Sequence, residues 1–330
     1  MAAPSANSTQ DLHILEKISV NDITSRANYC YAILFALGIF TAIFLYYSFM
    51  KHYKKAKDSW SWQDTVLCNY SICEFYILLF STSSLAHRPG YMYTTNFNCA
   101  VLSFFFNLAC ICGEFLQVLM ALVFACHKDH FSIHTCTKVQ DRPTAAVGAT
   151  FLLSLLLSAV LAALRAQRSL YDTDCQLDPF SAPYNYDVAK MTIGFILPVV
   201  VKLVLLLIWI WADPNFLSSL KDNPAFPTIT MVTFACRLFY NIVLMKRAGL
   251  KPGEIPPWKE ALMNVAEFVL FSASSICLVL ILYLHEPCRK ILKEATDCLR
   301  KWCGSLGRRE TNGSIITTYV EVQRTLVNND

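Results

Sequence analysis

The sequence contains few charged residues. Asp, Glu, Lys and Arg make up 16% of its 330 residues, whereas a typical soluble domain contains about 25%. This composition argues against a large soluble domain, and a net charge of +4 is too small to indicate nucleic acid as a partner. The sequence also lacks a secretory signal peptide, because its first 17 residues are polar and contain neither an apolar core nor a cleavage site. We therefore expect the first apolar segment to serve as its own insertion signal.

The sequence contains long runs of apolar residues. Hydrophobic residues make up 55% of the chain, and about 20 consecutive apolar residues are enough for a helix to cross a bilayer. Because a crossing segment must satisfy its own backbone hydrogen bonds in hydrocarbon, helices are the expected structure. The sequence therefore predicts an all-α, polytopic membrane protein with a bundle of seven transmembrane helices. The predicted segments span residues 29–50, 62–86, 99–126, 145–165, 187–212, 227–246 and 258–284.

The sixth segment is the weakest, because Arg237 and Asn241 interrupt a short apolar run. Without it the bundle would have six helices, and both termini would lie on one side of the membrane. The positive charges favour seven: 16 Lys and Arg residues lie in the loops and tail on one side of a seven-helix arrangement, and nine lie on the other. Because positive residues concentrate in the cytoplasm, this bias predicts a cytoplasmic carboxyl terminus and an extracellular amino terminus.

This orientation divides the chain into four parts and predicts two modifications. Residues 1–28 form an extracellular segment, 29–284 the bundle, 285–303 an amphipathic helix at the membrane, and 304–330 a disordered cytoplasmic tail. Asn7 begins an Asn-Ser-Thr sequon on the extracellular side, where it can be glycosylated. Of the 14 cysteines, Cys99 and Cys175 are the two that lie clearly in outer loops or at their edges. Because thiols oxidise on that side, we expect a Cys99–Cys175 disulfide.

The arrangement of the helices and of the two outer cysteines resembles that of the rhodopsin-like G-protein-coupled receptors, over residues 29–303. In helix 2 the family carries an Asn-Leu-Ala-x-x-Asp pattern whose Asp binds sodium and couples to activation. Here Asn69 begins the run and Glu74 stands at the position of the Asp. The resemblance therefore implies a sodium ion near Glu74. The alternative is a protonated Glu74 that is hydrogen-bonded inside the bundle, since an ionised group in a span is costly.

Helices 5 and 6 match the family in part. In helix 5, Phe195 and Pro198 match a Phe-x-x-Pro pattern, and a proline inside a helix bends it. In helix 6, Cys236 and Tyr240 match two positions of a Cys-Trp-x-Pro-Tyr pattern, but its tryptophan and proline are missing. The resemblance implies that Pro198 and Tyr240 belong, with the helix 2 residues, to the switch between inactive and active packings.

The resemblance also implies an extracellular ligand that binds in an outward-facing cavity between the helices. The candidate contacts are Glu267 in helix 7, Asp187 and Lys190 at the top of helix 5, Glu114 in the middle of helix 3, and Arg237 at the base of the cavity. Glu267 would suit a cationic ligand, whereas the basic third outer loop would favour an acidic one, so the charge of the ligand stays open. The alternative is an internal salt bridge that joins Arg237 to Glu114 or to Glu267 and only holds helices together.

The segment after helix 7 resembles the short amphipathic helix that follows the bundle in this family. Its basic residues alternate with apolar ones, which suits a helix on the anionic inner leaflet of the bilayer. Cys288, Cys298 and Cys303 are candidate palmitoylation sites. Hydroxyl residues between Thr311 and Tyr319 could be phosphorylated, and the resulting acidic patch would suit arrestin-type partners.

Other family motifs are missing. No arginine lies near residues 123–125, where the family has Asp-Arg-Tyr; helix 4 has no tryptophan; and residues 275–283 lack the proline of Asn-Pro-x-x-Tyr. In the family these residues lock the resting state and engage the G protein. Two functions therefore stay open: a receptor that signals to heterotrimeric G proteins, and an atypical receptor that binds ligand or pairs with another receptor without coupling.

An enzyme and a transporter are less favoured. Seven-helix membrane hydrolases hold zinc through histidines, but here His87 is predicted on the outer side and His127, His130 and His134 on the inner side, about 30 Å away. Zinc needs three or four converging ligands, so we expect neither catalysis nor a metal site. A transporter would be expected to show repeated halves or pairs of broken helices, and the sequence contains no such repeat.

Overall fold

The computed structural model describes ten stretches of the chain. These are residues 6–55, 60–88, 92–125, 141–166, 174–175, 184–212, 218, 220–221, 223–248 and 256–301. Within them, seven helices are long and apolar enough to cross a membrane. The prediction of an all-α bundle with seven spans, including the weak sixth segment, is therefore confirmed.

The transmembrane helices follow one another in simple up-and-down order. They are α1 (Ala6–Lys55), α2 (Trp62–His87), α3 (Asn96–Ala125), α4 (Pro143–Ala166), α5 (Tyr184–Met191, Thr192–Ile196 and Leu197–Ala212 in succession), α6 (Ala225–Arg247) and α7 (Pro257–Leu284). An eighth helix, α8, covers residues 286–301 and follows α7 after a bend at His285. We call the end of the bundle at which α7 passes into α8 the tail side, and the opposite end the head side.

Helix α1 is much longer than the sequence predicted, because it begins at Ala6 instead of at residue 29. The extra turns are polar on most positions, so hydropathy alone did not reveal them. They contain a local Asp22–Arg26 ion pair at 2.9 Å, and two of their side chains, Val20 and Thr24, are buried. An ion pair between residues four apart stabilises a helix slightly, even without tertiary contacts.

Helix α5 contains a π-helical turn at Thr192–Ile196, which ends two residues before Pro198. The proline has no N–H, so the carbonyl four residues earlier, in Gly194, loses its helical partner. A local change of helical register accommodates that loss, and such bulges are typical of functional segments. The distortion expected from Pro198 therefore takes the form of a π turn.

Helix α3 lies at the centre of the bundle. Of the most apolar part of α3, 83% is buried within the protein, against 17% for α4 and 22% for α5. Helices α4 and α5 therefore expose most of their apolar side chains to lipid. On the head side, a two-residue strand β1 (Met92–Tyr93) before α3 pairs in antiparallel fashion with β2 (Asp174–Cys175), which aligns Met92 with Cys175.

Candidate functional site

A buried ion network joins three helices near the middle of the bundle. The Glu114 carboxylate of α3 accepts a hydrogen bond from the Lys202 ammonium of α5 at 2.6 Å and pairs with the Arg237 guanidinium of α6 at 2.9 Å. All three side chains are almost fully buried. Buried ions need partners of opposite charge and further hydrogen bonds, so the network ties α5 and α6 to α3. The sequence prediction that Arg237 could pair with Glu114 is confirmed, and Lys202 was not foreseen.

Neutral polar side chains extend this ion network toward α2 and α6. Lys202 also donates to the side-chain oxygen of Gln117 at 3.0 Å. The Gln117 amide lies 3.2 Å from the Tyr70 hydroxyl and 3.1 Å from the Thr233 hydroxyl. Arg237 donates to the backbone carbonyl of Cys110 at 3.2 Å. The central layer of the bundle is therefore polar, although it lies at membrane depth.

Glu74 of α2 belongs to the same layer. Its side chain is 1% exposed, contacts the hydroxyls of Tyr70 and Ser274, and lies close enough to Arg237 and Glu114 for electrostatic interaction. With both glutamates ionised, two carboxylates face the two cations Lys202 and Arg237, and the network is electrically neutral. A sodium ion added at Glu74 would leave it with an excess positive charge. Asn69, the other helix 2 candidate, donates to the Thr65 carbonyl within its own helix at 2.8 Å.

Glu267 forms a different ion pair from the one the sequence suggested. It is 2% exposed and forms a salt bridge with Arg88, at the head-side end of α2. The expected alternative partner was Arg237, but that guanidinium is held by Glu114. Arg88 was not among the predicted site residues, because it follows the predicted span. The Arg88–Glu267 pair neutralises the carboxylate that was proposed for ligand recognition and joins α2 to α7.

The remaining ligand candidates come together around a very small cavity. Lys190 lies over the rings of Phe106 and Tyr240, with its ammonium 5.6 Å from each centroid. Lys190, Tyr240 and Arg237 line a cavity of about 30 Å³, whereas drug-sized ligands occupy about 300–1,000 Å³. Asp187 is buried nearby on α5. Lys190, Tyr240 and Arg237 are thus brought together, and the cavity between them is large enough for a water molecule and not for a ligand.

A larger cavity opens on the tail side. This tail-side crevice has a volume of about 510 Å³ and is formed by the ends of α1, α2, α3, α6 and α7 together with α8. Its floor is apolar and its rim carries both signs of charge, as shown by Met120, Phe124 and Leu284 in the floor and by Lys51, Lys55, Lys290, Glu286 and Glu294 at the rim. The crevice thus combines apolar and charged side chains at the tail-side ends of the helices.

Polar contacts fix the walls of the crevice. Asp64 closes a capping box with Ser61 at the start of α2 and lies 2.8 Å from the His285 ring at the junction of α7 and α8. Lys51 of α1 forms a 2.8 Å ion pair with Glu294 of α8, and this ion pair lowers the pKa of Glu294. Helix α8 is therefore anchored to both α1 and α2.

An aromatic cluster stands at the tail-side end of α3, where the resembling family has its arginine. The Phe124 ring lies 5.5 Å from Trp62, 5.3 Å from Trp209 and 5.2 Å from Phe226, measured between ring centroids. These contacts connect α3 to α2, α5 and α6 at the edge of the crevice. Aromatic packing around Phe124 thus takes the position at which the rhodopsin-like receptors have the arginine of their Asp-Arg-Tyr motif.

The candidate modification sites differ in accessibility. Cys99 forms a disulfide, whereas the side chain of Cys175 lies outside the described residues. Cys288 is fully buried, and burial raises the pKa of its thiol to about 12; Cys298 is exposed. The side chain of Asn7, the thiol of Cys303 and the hydroxyl cluster of the tail lie outside the part of the chain that the structure describes.

Comparison with known proteins adds no family assignment. No family model matches the chain, and no curated protein matches it. Among the described residues, no group of three or more His, Cys, Asp or Glu side chains is arranged to hold a metal ion.

Proposed function

We propose that this protein is a plasma-membrane receptor of the rhodopsin-like G-protein-coupled class, with its head side extracellular and its tail side cytoplasmic. The observation that carries the proposal is the tail-side crevice of about 510 Å³, framed by α8 and by the ends of five transmembrane helices. A crevice with an apolar floor and a charged rim suits an amphipathic helix of a partner. In such a receptor this partner is the α subunit of a heterotrimeric G protein.

The buried ion network supplies a physical basis for switching. Lys202 and Arg237 both hold Glu114, so α5 and α6 cannot separate from α3 without exposing a buried charge. A ligand bound among helices α3, α5, α6 and α7 can favour a second packing only through contacts that differ between the two states. We infer that rearrangement of these three side chains accompanies movement of α6 and widening of the crevice.

Two cations of the protein itself replace sodium in this proposal. Because Lys202 and Arg237 balance Glu74 and Glu114, the network is neutral without a further ion, and we propose that Glu74 acts as a member of it.

The Cys99–Cys175 disulfide also stays a proposal. It is supported by the disulfide state of Cys99 and by the pairing of β1 with β2, which places Cys175 beside the chain that leads into α3.

One observation favours the second candidate function, a receptor that binds ligand or pairs with another receptor without coupling. Phe124 packs against three aromatic rings at the place where coupling receptors carry an arginine. Such a cluster holds the tail-side ends of α2, α3, α5 and α6 together and offers no cation to a partner. Arrestin-type proteins could still bind the tail after phosphorylation between Thr311 and Tyr319.

The test is G-protein activation in cells that express the full chain with an amino-terminal tag. The chain would be compared with Arg237→Ala and Glu74→Ala across all G-protein classes, at equal surface labelling of the tag. We expect basal signalling through at least one class, and a change in it when the network loses a charge. Surface-labelled protein that is silent with every class, before and after either substitution, would favour the non-coupling receptor. A tag that cannot be reached from outside would refute the orientation.

A further inference from the structure

A second groove lies between α5 and α6 on the outer surface of the bundle. This α5–α6 groove has a volume of about 260 Å³ and belongs to the tail-side half of both helices, with α3 as its floor. Its walls are almost entirely apolar and include Val199, Leu203 and Leu206 of α5, Met231 and Phe234 of α6, and Ala121 of α3. Leu203 is 54% exposed and Met231 is 68% exposed, so the groove opens sideways and not into the crevice.

The side chains around the opening indicate whether the groove faces water or lipid. The neighbouring α5 side chains Val200, Val204 and Leu207 are 50%, 49% and 58% exposed. On a helix that crosses a bilayer, such apolar side chains face lipid hydrocarbon. An apolar groove that stays empty loses the dispersion contacts of all the atoms that line it. An acyl chain from the bilayer can supply those contacts without removing any group from water.

Charge at the tail-side end of the groove indicates which lipid fits. Leu220 lines the groove at that end, and the next residue, Lys221, is exposed. Trp209, a residue type common at membrane interfaces, lines the same end. A lysine at the cytoplasmic surface attracts anionic lipids. The groove and Lys221 together therefore match an amphiphile with an apolar chain and an anionic headgroup.

We propose that the α5–α6 groove binds one acyl chain of an anionic phospholipid of the cytoplasmic leaflet, with the net negative charge of its headgroup at Lys221. The choice of leaflet rests on the orientation given above, but the binding requires no G protein and no agonist. The side chain of Lys202 lines the groove while its ammonium holds Glu114. The bound chain thus packs directly against the side chain that ties α5 to α3.

Photolabelling of the full chain in nanodiscs tests this site. The probe is phosphatidylserine with a diazirine in the middle of one acyl chain, and phosphatidylcholine with the same chain is the comparison. We expect phosphatidylserine to label Leu203 and Met231 more strongly than Leu152 and Leu156 of α4, which are 61% and 66% exposed but lie outside the groove. Labelling that follows exposure alone, or that is equal for the two lipids, would overturn the proposal.

Two groove-filling variants separate binding from incidental contact. Ala121→Phe fills the groove from its floor, and Val199→Phe fills it from α5; each should reduce groove labelling several-fold, whereas Leu152→Phe on α4 should not. Two filling variants are used so that a folding defect in one, detected as loss of monodispersity, leaves the other to decide. Full labelling in a folded filling variant contradicts the site.

The headgroup contact has its own matched pair of variants. Lys221→Gln should lower phosphatidylserine labelling of the groove about fivefold, the effect of one lysine near an anionic surface, and should leave phosphatidylcholine labelling unchanged. Lys293→Gln removes an equal charge from α8, away from the groove, and should have no effect. Equal losses in the two variants would refute a specific contact at Lys221. Because none of these measurements involves signalling, a failure of the lipid site is distinguishable from a failure of the proposed receptor function.

Discussion

Removal of the Glu114 charge should destabilise the bundle strongly. In Glu114→Gln the side chain keeps its size, but Lys202 and Arg237 lose the carboxylate that lies 2.6 Å and 2.9 Å away. Two buried cations then lose the carboxylate that they share, and the network gains one uncompensated positive charge. Breaking a buried ion pair in this way costs about 3–5 kcal/mol. We therefore expect a large fall in the melting temperature of the purified protein.

The assay can use the protein's own thiols. The thiols of Cys73, Cys112 and Cys277 are free and buried, so a thiol-reactive fluorophore reports their exposure on heating. Glu286→Gln is the matched control, because it breaks a 2.8 Å ion pair with Lys290 that lies on the surface. Surface pairs contribute little, and this variant should melt like the unaltered protein.

A second substitution tests the charge arithmetic behind this prediction. Glu114→Gln combined with Lys202→Met removes one charge of each sign, so the network has the same net charge as in the unaltered protein. The double variant should therefore be more stable than Glu114→Gln alone, although it has lost two members of the network. An unchanged melting temperature in the single variant, or a double variant that melts lower still, would refute the account of the network.

Three further predictions follow from the ion pairs and thiols outside this network. Arg88→Ala should destabilise the protein more than Arg88→Ala combined with Glu267→Ala, because the single change leaves a buried carboxylate unpaired. The melting temperatures of the two variants test this, and equal decreases in melting temperature would contradict it. In metabolic labelling with palmitate, Cys298→Ala should lose label while Cys288→Ala keeps it, since Cys288 is buried; the reverse pattern would refute the placement of α8. Burial disfavours the thiolate of Cys288 and raises its pKa to about 12, so this thiol in the folded protein should resist a maleimide from pH 7 to 9, whereas Cys298 should react, as peptide mapping would show. Fast reaction of Cys288 at pH 7 would contradict its burial.

The helices could be predicted because each one depends on a local property of the sequence. Runs of about 20 apolar residues are sufficient to identify transmembrane helices, and seven such segments are found in the structure. The start of α1 at Ala6 could not be read in the same way, since its first turns are polar. The π turn before Pro198 could be foreseen as a distortion, but its form depends on the packing of α5.

The partners within the site depended on helix rotation, which hydropathy does not determine. Arg237 could be expected to find a carboxylate, but whether that was Glu114 or Glu267 required the packing of α6 against α3. Lys202 left a signal that could have been used. Lys202 is the single ionisable residue in Leu197–Ala212, and its side chain is positively charged. A charge at membrane depth requires a buried partner. Arg88 left none, because an arginine just beyond a predicted span is typical of an exposed loop.

Site-specific crosslinking in the crevice tests the central claim most directly. A photoreactive amino acid replaces Lys55, which is exposed and lines the tail-side crevice, and in a control chain it replaces Trp258, which is 52% exposed at the head-side end of α7. Both chains are expressed at the cell surface with each class of G-protein α subunit. If the protein couples as proposed, position 55 crosslinks to at least one α subunit and position 258 to none. Absence of a crosslink at position 55 with every class, in a chain that reaches the surface, would contradict G-protein coupling and leave the non-coupling receptor as the better account.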